Sequence, residues 1–291
     1  MKFAHLRVEG QTTPRLAAVI GDEAIFLDEV MGGAPDDLQC LIERGPDALA
    51  DVRAAVDAAV ANGTPATAVA TLRHASAVLR PAQVLAIGAN YAAHASELKL
   101  RSESAMTIFS LWPNSLTGHG MTTTWAGDVA TQVDYEAELG VIIGRPAKDV
   151  PVRDALDYVW GYTVVNDITA RDIQFSEAQW SRCKSFDGFT PTGPVVVTAD
   201  EVADPQDLWL TTNVDGHILQ DASTNEMVRS VAEIIAYLSK TATLPAGTLI
   251  STGSPGGAGY SRNPQVFLHD GSTVTVTIEG IGSLTTHCRV V

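Results

Sequence analysis

Val133-Asp134-Tyr135-Glu136-Ala137-Glu138-Leu139-Gly140-Val141-Ile142-Ile143-Gly144 is the stretch from which the rest of the chain can be read. Its apolar end, Val141 to Ile143, has the β-branched composition of a buried strand. Ahead of it acids alternate with other residues: Asp134, Glu136, Glu138. Side chains two apart on a strand share a face, so three carboxylates are expected to point the same way at the mouth of a buried strand. Packed carboxylates repel one another unless a proton or a cation intervenes. A hard divalent cation suits them, since Mg²⁺ is held by a few carboxylates with water and substrate oxygens. The competing interpretation is a half-exposed strand with one solvated acidic face.

The chain's 291 residues suffice for one large or two ordinary domains. Hydrophobic residues make up 45%, enough to fill a core and to exclude wholesale disorder. A net charge of −15 argues against nucleic acid or an anionic membrane as the main partner. It still permits a small anionic substrate where a few Lys or Arg residues or a metal reverse the local field. Cys40, Cys183 and Cys288 are far apart, odd in number and form no CxxC. They predict a reduced, cytoplasmic protein without disulfides or a zinc site. Cys183 adjoins Lys184, the context of a low-pKa thiol, but an ordinary small residue is expected there. Met1 to Arg7 begins a strand-like alternation rather than a signal peptide, and no apolar run nears the ~18 residues that span a bilayer.

In chain order, short strands are expected before residue 30, with a hairpin turn at Gly21-Asp22. Asp36 to Ala61 reads as two Ala-rich helices broken at Gly45-Pro46. A domain boundary is placed near residue 75, where strands and turns take over. Val84 to Gly88 is a buried strand, and His94 and Glu97 follow at helical spacing, side by side. A carboxylate beside an imidazole orients it and makes it a better base, though a plain surface contact has the same spacing. The polar run Leu98 to Ser104 has the character of a lid. His119, in a Gly-rich turn, is expected to be solvated. The strand Val159 to Asn166 ends at Asp167, which either caps a helix starting at Ile168 or supplies a metal carboxylate. Lys184 is a cation isolated among small and aromatic residues, usually a solvated position. Leu208 to Val214 and Ile218 to Gln220 form a hairpin across Asp215-Gly216. Thr248 to Gly257 is a strand entering a Gly-rich loop without the GK[ST] ending of a phosphate loop. It suits close backbone approach to a small ligand.

Four passages together resemble the fumarylacetoacetate hydrolase superfamily. They are Gly88-Ala89-Asn90-Tyr91 with His94 and Glu97; Asp134 to Leu139; Asn166 to Gln174; and Lys184-Ser185-Phe186-Asp187 with Pro191. The resemblance covers about residues 76–291, and residues 1–75 look like the small N-terminal domain of many bacterial members. It implies a β-rich α+β fold, a mixed β-sandwich roll carrying a small N-terminal α+β domain, and a homodimer. It implies that Glu136, Glu138 and Asp167 hold one Mg²⁺ or Mn²⁺ per subunit. His94 and Glu97 resemble a lid dyad that activates water, and Lys184 a lysine that polarises a substrate carbonyl. Arg171 and Gln174 match substrate-contacting positions. Tyr91 and Ser254 are added to that set, Ser254 from the stretch Thr252-Gly253-Ser254-Pro255, similar to the family's TGTP.

The implied activity is hydrolysis of the C–C bond of an acylpyruvate-like 2,4-dioxo acid (of the fumarylpyruvate or fumarylacetoacetate type) in catabolism. Decarboxylation or tautomerisation of a 2-oxo acid at the same site is the alternative. A catalytically silent metal- or metabolite-binding protein is a third possibility, opposed by the complete set of site residues. One departure stands out. Phe109-Ser110-Leu111 has Leu111 where the family usually has a lysine, implying a less basic, more apolar pocket there.

Overall fold

The computed structural model describes residues 1–98 and 105–291. The main sheet, twelve-stranded among these residues, has the acidic strand Ala137–Ile143 well inside it. Its neighbours are Val159–Asn166 on one side (Glu138 opposite Val165) and Leu249–Ser251 on the other (Gly140 opposite Ser251), both antiparallel. Val84–Gly88 and the edge strand Thr107–Ser110 complete that flank. A second sheet, five-stranded, runs His217–Ser223, Trp209–Val214, Thr273–Ile278, Gly282–Val290, Met121–Trp125. Its hairpin turns at Asp215 and Gly216, both at positive φ (51° and 89°), the twist a tight two-residue loop requires.

The period-two pattern divides the acidic strand between two cores. Ala137, Leu139, Val141 and Ile143 face the second sheet and share a cluster with Leu210, Val274, Val276 and Leu284. Ile142, of opposite parity, packs with Leu38, Leu41, Val52 and Val56 from the helices Leu38–Glu43 and Pro46–Ala61. Glu138 shares the parity of Ile142, so the strand that builds both cores also carries a carboxylate between layers. The first helix is capped by Asp37, whose Oδ1 accepts from the Cys40 N–H at 2.7 Å, and the second starts with Pro46 at its first position. Helix Val231–Thr241 opens with a Ser230/Glu233 capping box. Lys2–Arg7 pairs with Thr190–Thr198, so the sheet crosses residue 75 without a break. Among the described residues no helix is long and apolar enough to cross a membrane.

Three local expectations are corrected. The acidic stretch is not one strand: Val133–Asp134 pairs with Thr169–Ala170, and Ala137–Ile143 pairs with Val159–Asn166. The change of partner occurs at Tyr135-Glu136, where the Asn166 side chain accepts from the Glu136 N–H (3.1 Å) and Asp167 N–H donates to the Glu136 carbonyl (2.9 Å). The helix expected from Ile168 starts at Arg171, with Ala170 at its N-cap, so Asp167 is not the cap. His119 is half-buried rather than solvated, and its Nδ1 accepts from the Thr285 N–H at 3.1 Å.

Two buried histidines join the N-terminal segment to the rest. His5 Nδ1 contacts the carbonyls of Ser76 and Ala77 (3.2 and 3.1 Å), and its Nε2 accepts from the Leu38 N–H at 3.1 Å. His74 Nδ1 contacts the Pro194 carbonyl at 3.2 Å. Burial lowers both imidazoles to about 4, partly offset for His5 by Asp37 and reinforced for His74 by His119. The unfolded chain therefore takes up protons first, and stability is lost as pH falls from 6.5 towards 4. The expected loss is about 3 kcal/mol per histidine. Urea midpoints across that window measure it. A His5→Asn variant with an unchanged pH slope would show that His5 contributes nothing.

Candidate active site

Glu136, Glu138 and Asp167 converge where the acidic strand and Val159–Asn166 end. One carboxylate oxygen from each lies within 4.8 Å of the others, and all three side chains are buried. Asp134 is not among them. The strand break turns it away, where it accepts from Arg171 Nε (2.8 Å) and from the N–H groups of Gly259 (2.8 Å) and Tyr260 (3.1 Å). The three-acid face expected from alternation is therefore two acids of the stretch plus Asp167 from the neighbouring strand end.

Lys184 is buried against this group rather than solvated. Its Nζ donates to Glu136 Oε2 (2.7 Å), Asp167 Oδ2 (2.6 Å) and Thr169 Oγ1 (2.8 Å), which uses all three ammonium protons. Arg171, fully buried, is ion-paired to Asp134 and, through Nη2 at 2.7 Å, to Glu136, while its Nη1 donates to Gln174 Oε1. Burial alone would raise Glu136; Lys184, Arg171 and His94 overcome it and hold the carboxyl well below the usual range. Glu138 goes the other way. Burial, then the charges of Asp167 and Glu136, push it well above its ordinary value. Among the described residues it has no cationic bonding partner; Ser251 Oγ (2.6 Å) and the Gly253 N–H (2.8 Å) bond to its Oε2. Asp167 is also raised, by burial and by Glu136, and its Oδ1 is buried without a hydrogen-bond partner among the described residues.

These residues fit a hard divalent cation. The donors are all carboxylate oxygens, their mutual separations suit Mg²⁺ or Mn²⁺, and an unpartnered oxygen and a repelled carboxylate both gain from positive charge.

The helix Ala92–Glu97 sets His94 over the triad. His94 Nδ1 meets Glu97 Oε2 at 3.3 Å and its Nε2 meets Glu136 Oε1 at 3.2 Å. Glu97 Oε1 also accepts from the Gly257 N–H at 2.7 Å, tying the helix to the Gly-rich loop. Burial disfavours the charged imidazole, but the bonds to Glu136 and Glu97 outweigh it and raise His94 overall. Of the expected lid, Leu98 lines the cavity, and residues 99–104 lie outside the described residues.

His94, Glu136, Glu138, Asp167, Gln174, Lys184 and Ser254 line one cavity. Arg171 sits one layer behind it. Tyr91 is buried beside Glu138 with its hydroxyl unpartnered among the described residues, and it is raised chiefly by burial and then by that charge; it does not line the cavity. Leu111 is also absent from the lining and packs in the core with Val84 and Leu249. Apolar character comes instead from Phe109 and Trp180, which residue patterns did not single out. Gln220 was missed as well. Its amide joins Ser254 and Pro255 to the Ala137 N–H, a long-range link with no local signature. Cys183 is an ordinary buried thiol, pushed up to about 12 by burial.

The β-rich scaffold thus brings together three buried carboxylates that could hold a divalent cation, a lysine on two of them and an oriented imidazole. The model of the fumarylacetoacetate (FAA) hydrolase C-terminal region matches residues 83–290, and the chain belongs to this family. An uncharacterised protein of Staphylococcus epidermidis is 42% identical over 210 residues, 72% of this chain and 69% of the relative. The fumarylacetoacetate hydrolase of Exiguobacterium antarcticum superposes with a TM-score of 0.85 at 33% identity, covering 100% of both chains. The maleylpyruvate hydrolase of Sphingobium sp. SYK-6, solved with manganese(II) and pyruvate, gives 0.82 at 26% identity, covering 100% of this chain and 99% of that one. A 5-carboxymethyl-2-hydroxymuconate delta-isomerase of Mycobacterium smegmatis gives 0.77 at 28%, with coverage of 100% and 99%.

Proposed function

We propose that this protein is a divalent-metal-dependent hydrolase that cleaves the C–C bond of an acylpyruvate-like 2,4-dioxo acid in a catabolic pathway. The observation that carries the proposal is the joining of the buried triad to Lys184 and, through Glu136, to the His94–Glu97 pair. Glu136, Glu138 and Asp167 would hold Mg²⁺ or Mn²⁺. When bound, the cation supplies Lewis acidity towards the 2-oxo acid end of the substrate and a template for its oxygens.

The chain's own residues do the rest. Glu97 orients the imidazole through Nδ1, and His94 Nε2 takes a proton from water once it exchanges its contact with Glu136 Oε1 for that water. The water oxygen adds to the C4 carbonyl. The C3–C4 bond then breaks, and its electron pair passes to the C2–C3 enolate. A proton returned to C3 gives pyruvate and the free acid. Lys184 meets the developing negative charge by trading one of its three bonds for a substrate oxygen. Gln174 and Ser254 border the cavity as substrate donors or acceptors, and Arg171 holds Glu136 in place.

Product NMR on a panel of acylpyruvates and oxaloacetate, with Mg²⁺ and then with chelator, tests this. Metal-dependent pyruvate plus a free acid is expected. Bicarbonate, or only a changed keto–enol ratio, would establish the decarboxylase or tautomerase alternative, to which the isomerase-like structural neighbour lends support. His94→Ala is expected to lower hydrolysis by roughly 10²–10⁴-fold. If it left the reaction at full rate, His94 would not be the base. The homodimer that the resemblance implies is to be checked by sedimentation as twice the 30.7 kDa chain mass.

A further inference from the structure

We infer that Gln220, which does not itself line the cavity, sets the direction of the Ser254 hydroxyl, so that Ser254 donates its proton to a substrate oxygen that gains negative charge. Gln220 is then a positioning residue and Ser254 the donor it positions. This rests on the hydrolase reading of the site and deepens it.

Gln220 belongs to the strand His217–Ser223 at the edge of the second sheet, yet it is buried and its amide reaches two segments of the site. The shape of an amide does not tell its oxygen from its nitrogen, but its partners do. One atom faces the Ala137 N–H at 3.0 Å, and a backbone N–H can only donate, so that atom is Oε1. The other faces the Pro255 carbonyl at 2.9 Å, and a carbonyl can only accept, so that atom is Nε2. Both ends require the same orientation. Thr212 Oγ1 adds a second bond to Oε1 at 2.8 Å, and Nε2 donates its other proton to Ser254 Oγ at 2.9 Å.

The consequence falls on Ser254. A hydroxyl has one proton and two lone pairs, and an amide NH₂ offers no lone pair. Towards Gln220, Ser254 therefore accepts, and its own proton is not spent on that bond. Ser254 is buried and lines the cavity, which puts a substrate oxygen there within the hydroxyl's reach. Accepting from the amide also polarises the O–H bond and strengthens it as a donor. A fixed donor gains most when the oxygen it meets becomes negative, which happens as the bond breaks. The same loop holds Glu138 through the Gly253 N–H and Glu97 through the Gly257 N–H. A Gln220 that merely supported the loop would act through those acids, whereas a Gln220 that orients Ser254 acts only while the hydroxyl is present.

A double-mutant cycle on the metal-loaded full chain tests this, with acetylpyruvate, benzoylpyruvate or fumarylpyruvate as substrate, whichever wild type turns over fastest. Ser254→Ala is expected to lower kcat on the order of 10²-fold with KM within about threefold of wild type. Ser254→Thr, which keeps a hydroxyl, should exceed Ser254→Ala by about tenfold. Gln220→Glu keeps an acceptor for Ala137 and Thr212 but has no N–H for Ser254; Gln220→Met lacks the N–H without adding a charge. Each should lower kcat about tenfold or more. Combined with Ser254→Ala, neither should lower kcat by more than about a further threefold. Double variants that lose the product of the single effects, about 10³-fold or more, would show that Gln220 acts through the loop and would overturn the inference. So would full kcat in Ser254→Ala, or a loss confined to KM. Thermal melts establish folding, and either Gln220 variant suffices; if neither folds, Gln220 is structural and the inference falls. Each of these results leaves the hydrolase assignment standing. If none of the three acylpyruvates gave metal-dependent pyruvate, the hydrolase assignment would fall and the inference with it.

Discussion

Lys184→Met is expected to destabilise the metal-free protein by about 3–5 kcal/mol and to lower turnover by about 10²–10³-fold. The reason is the company Lys184 keeps. Its side chain is 2% exposed and neutralises Glu136 and Asp167 at 2.7 and 2.6 Å, side chains that are themselves 5% and 1% exposed. Removing one partner of a buried ion pair leaves the other charge desolvated and unmatched, which costs far more than the pair itself contributes. Methionine keeps most of the volume, so the loss reports charge rather than a cavity. Lys184→Arg should not restore function, because a planar fork cannot reproduce three bonds from one ammonium. Urea denaturation of the metal-free proteins, with turnover measured in parallel, checks both effects. A Lys184→Met protein within about 1 kcal/mol of wild type would mean that these acids are not ionised together in the folded chain.

Glu138 should behave differently, although it belongs to the same triad. Glu138→Gln retains an acceptor for Ser251 Oγ and the Gly253 N–H and removes a charge that Asp167 and Glu136 repel. The metal-free variant is therefore expected to be at least as stable as wild type. What it is expected to lose is the proposed cation. At a metal concentration 100 times its Kd, wild type should gain about 2.7 kcal/mol in folding stability, and the variant nothing measurable. Turnover should fall on the order of 10³-fold or more, about 4 kcal/mol in barrier. Calorimetric titration with Mg²⁺ and Mn²⁺, together with melts, separates the two effects. Normal metal binding by Glu138→Gln, or near-normal turnover of Glu138→Ala in chelator, would refute the ligand assignment.

Much of this site was legible in the chain because its parts are local. Period-two spacing placed Glu138 on the opposite face from Leu139 and Val141, and helical spacing placed Glu97 beside His94. Strands, hairpins and helices announced themselves through β-branched runs, turn residues and Ala-rich segments. The order of four motifs then carried the family resemblance. None of this depends on distant contacts.

Tertiary structure decided what local pattern could not. Alternation in sequence holds only while a strand keeps one partner, and the change of partner at Tyr135-Glu136 sent Asp134 to Arg171 and brought Asp167 into the triad. Lys184 resembled a solvated cation until the fold buried it against two acids contributed by residues 48 and 17 positions away. Leu111 had drawn attention as the apolar position, but the chain placed it in the core and gave the cavity wall to Phe109 and Trp180. The sequence by itself therefore determined the element types, the acidic and imidazole groups and the family. Which acids share a charge, and which rings line the cavity, is set by through-space packing and electrostatics between segments far apart in the chain.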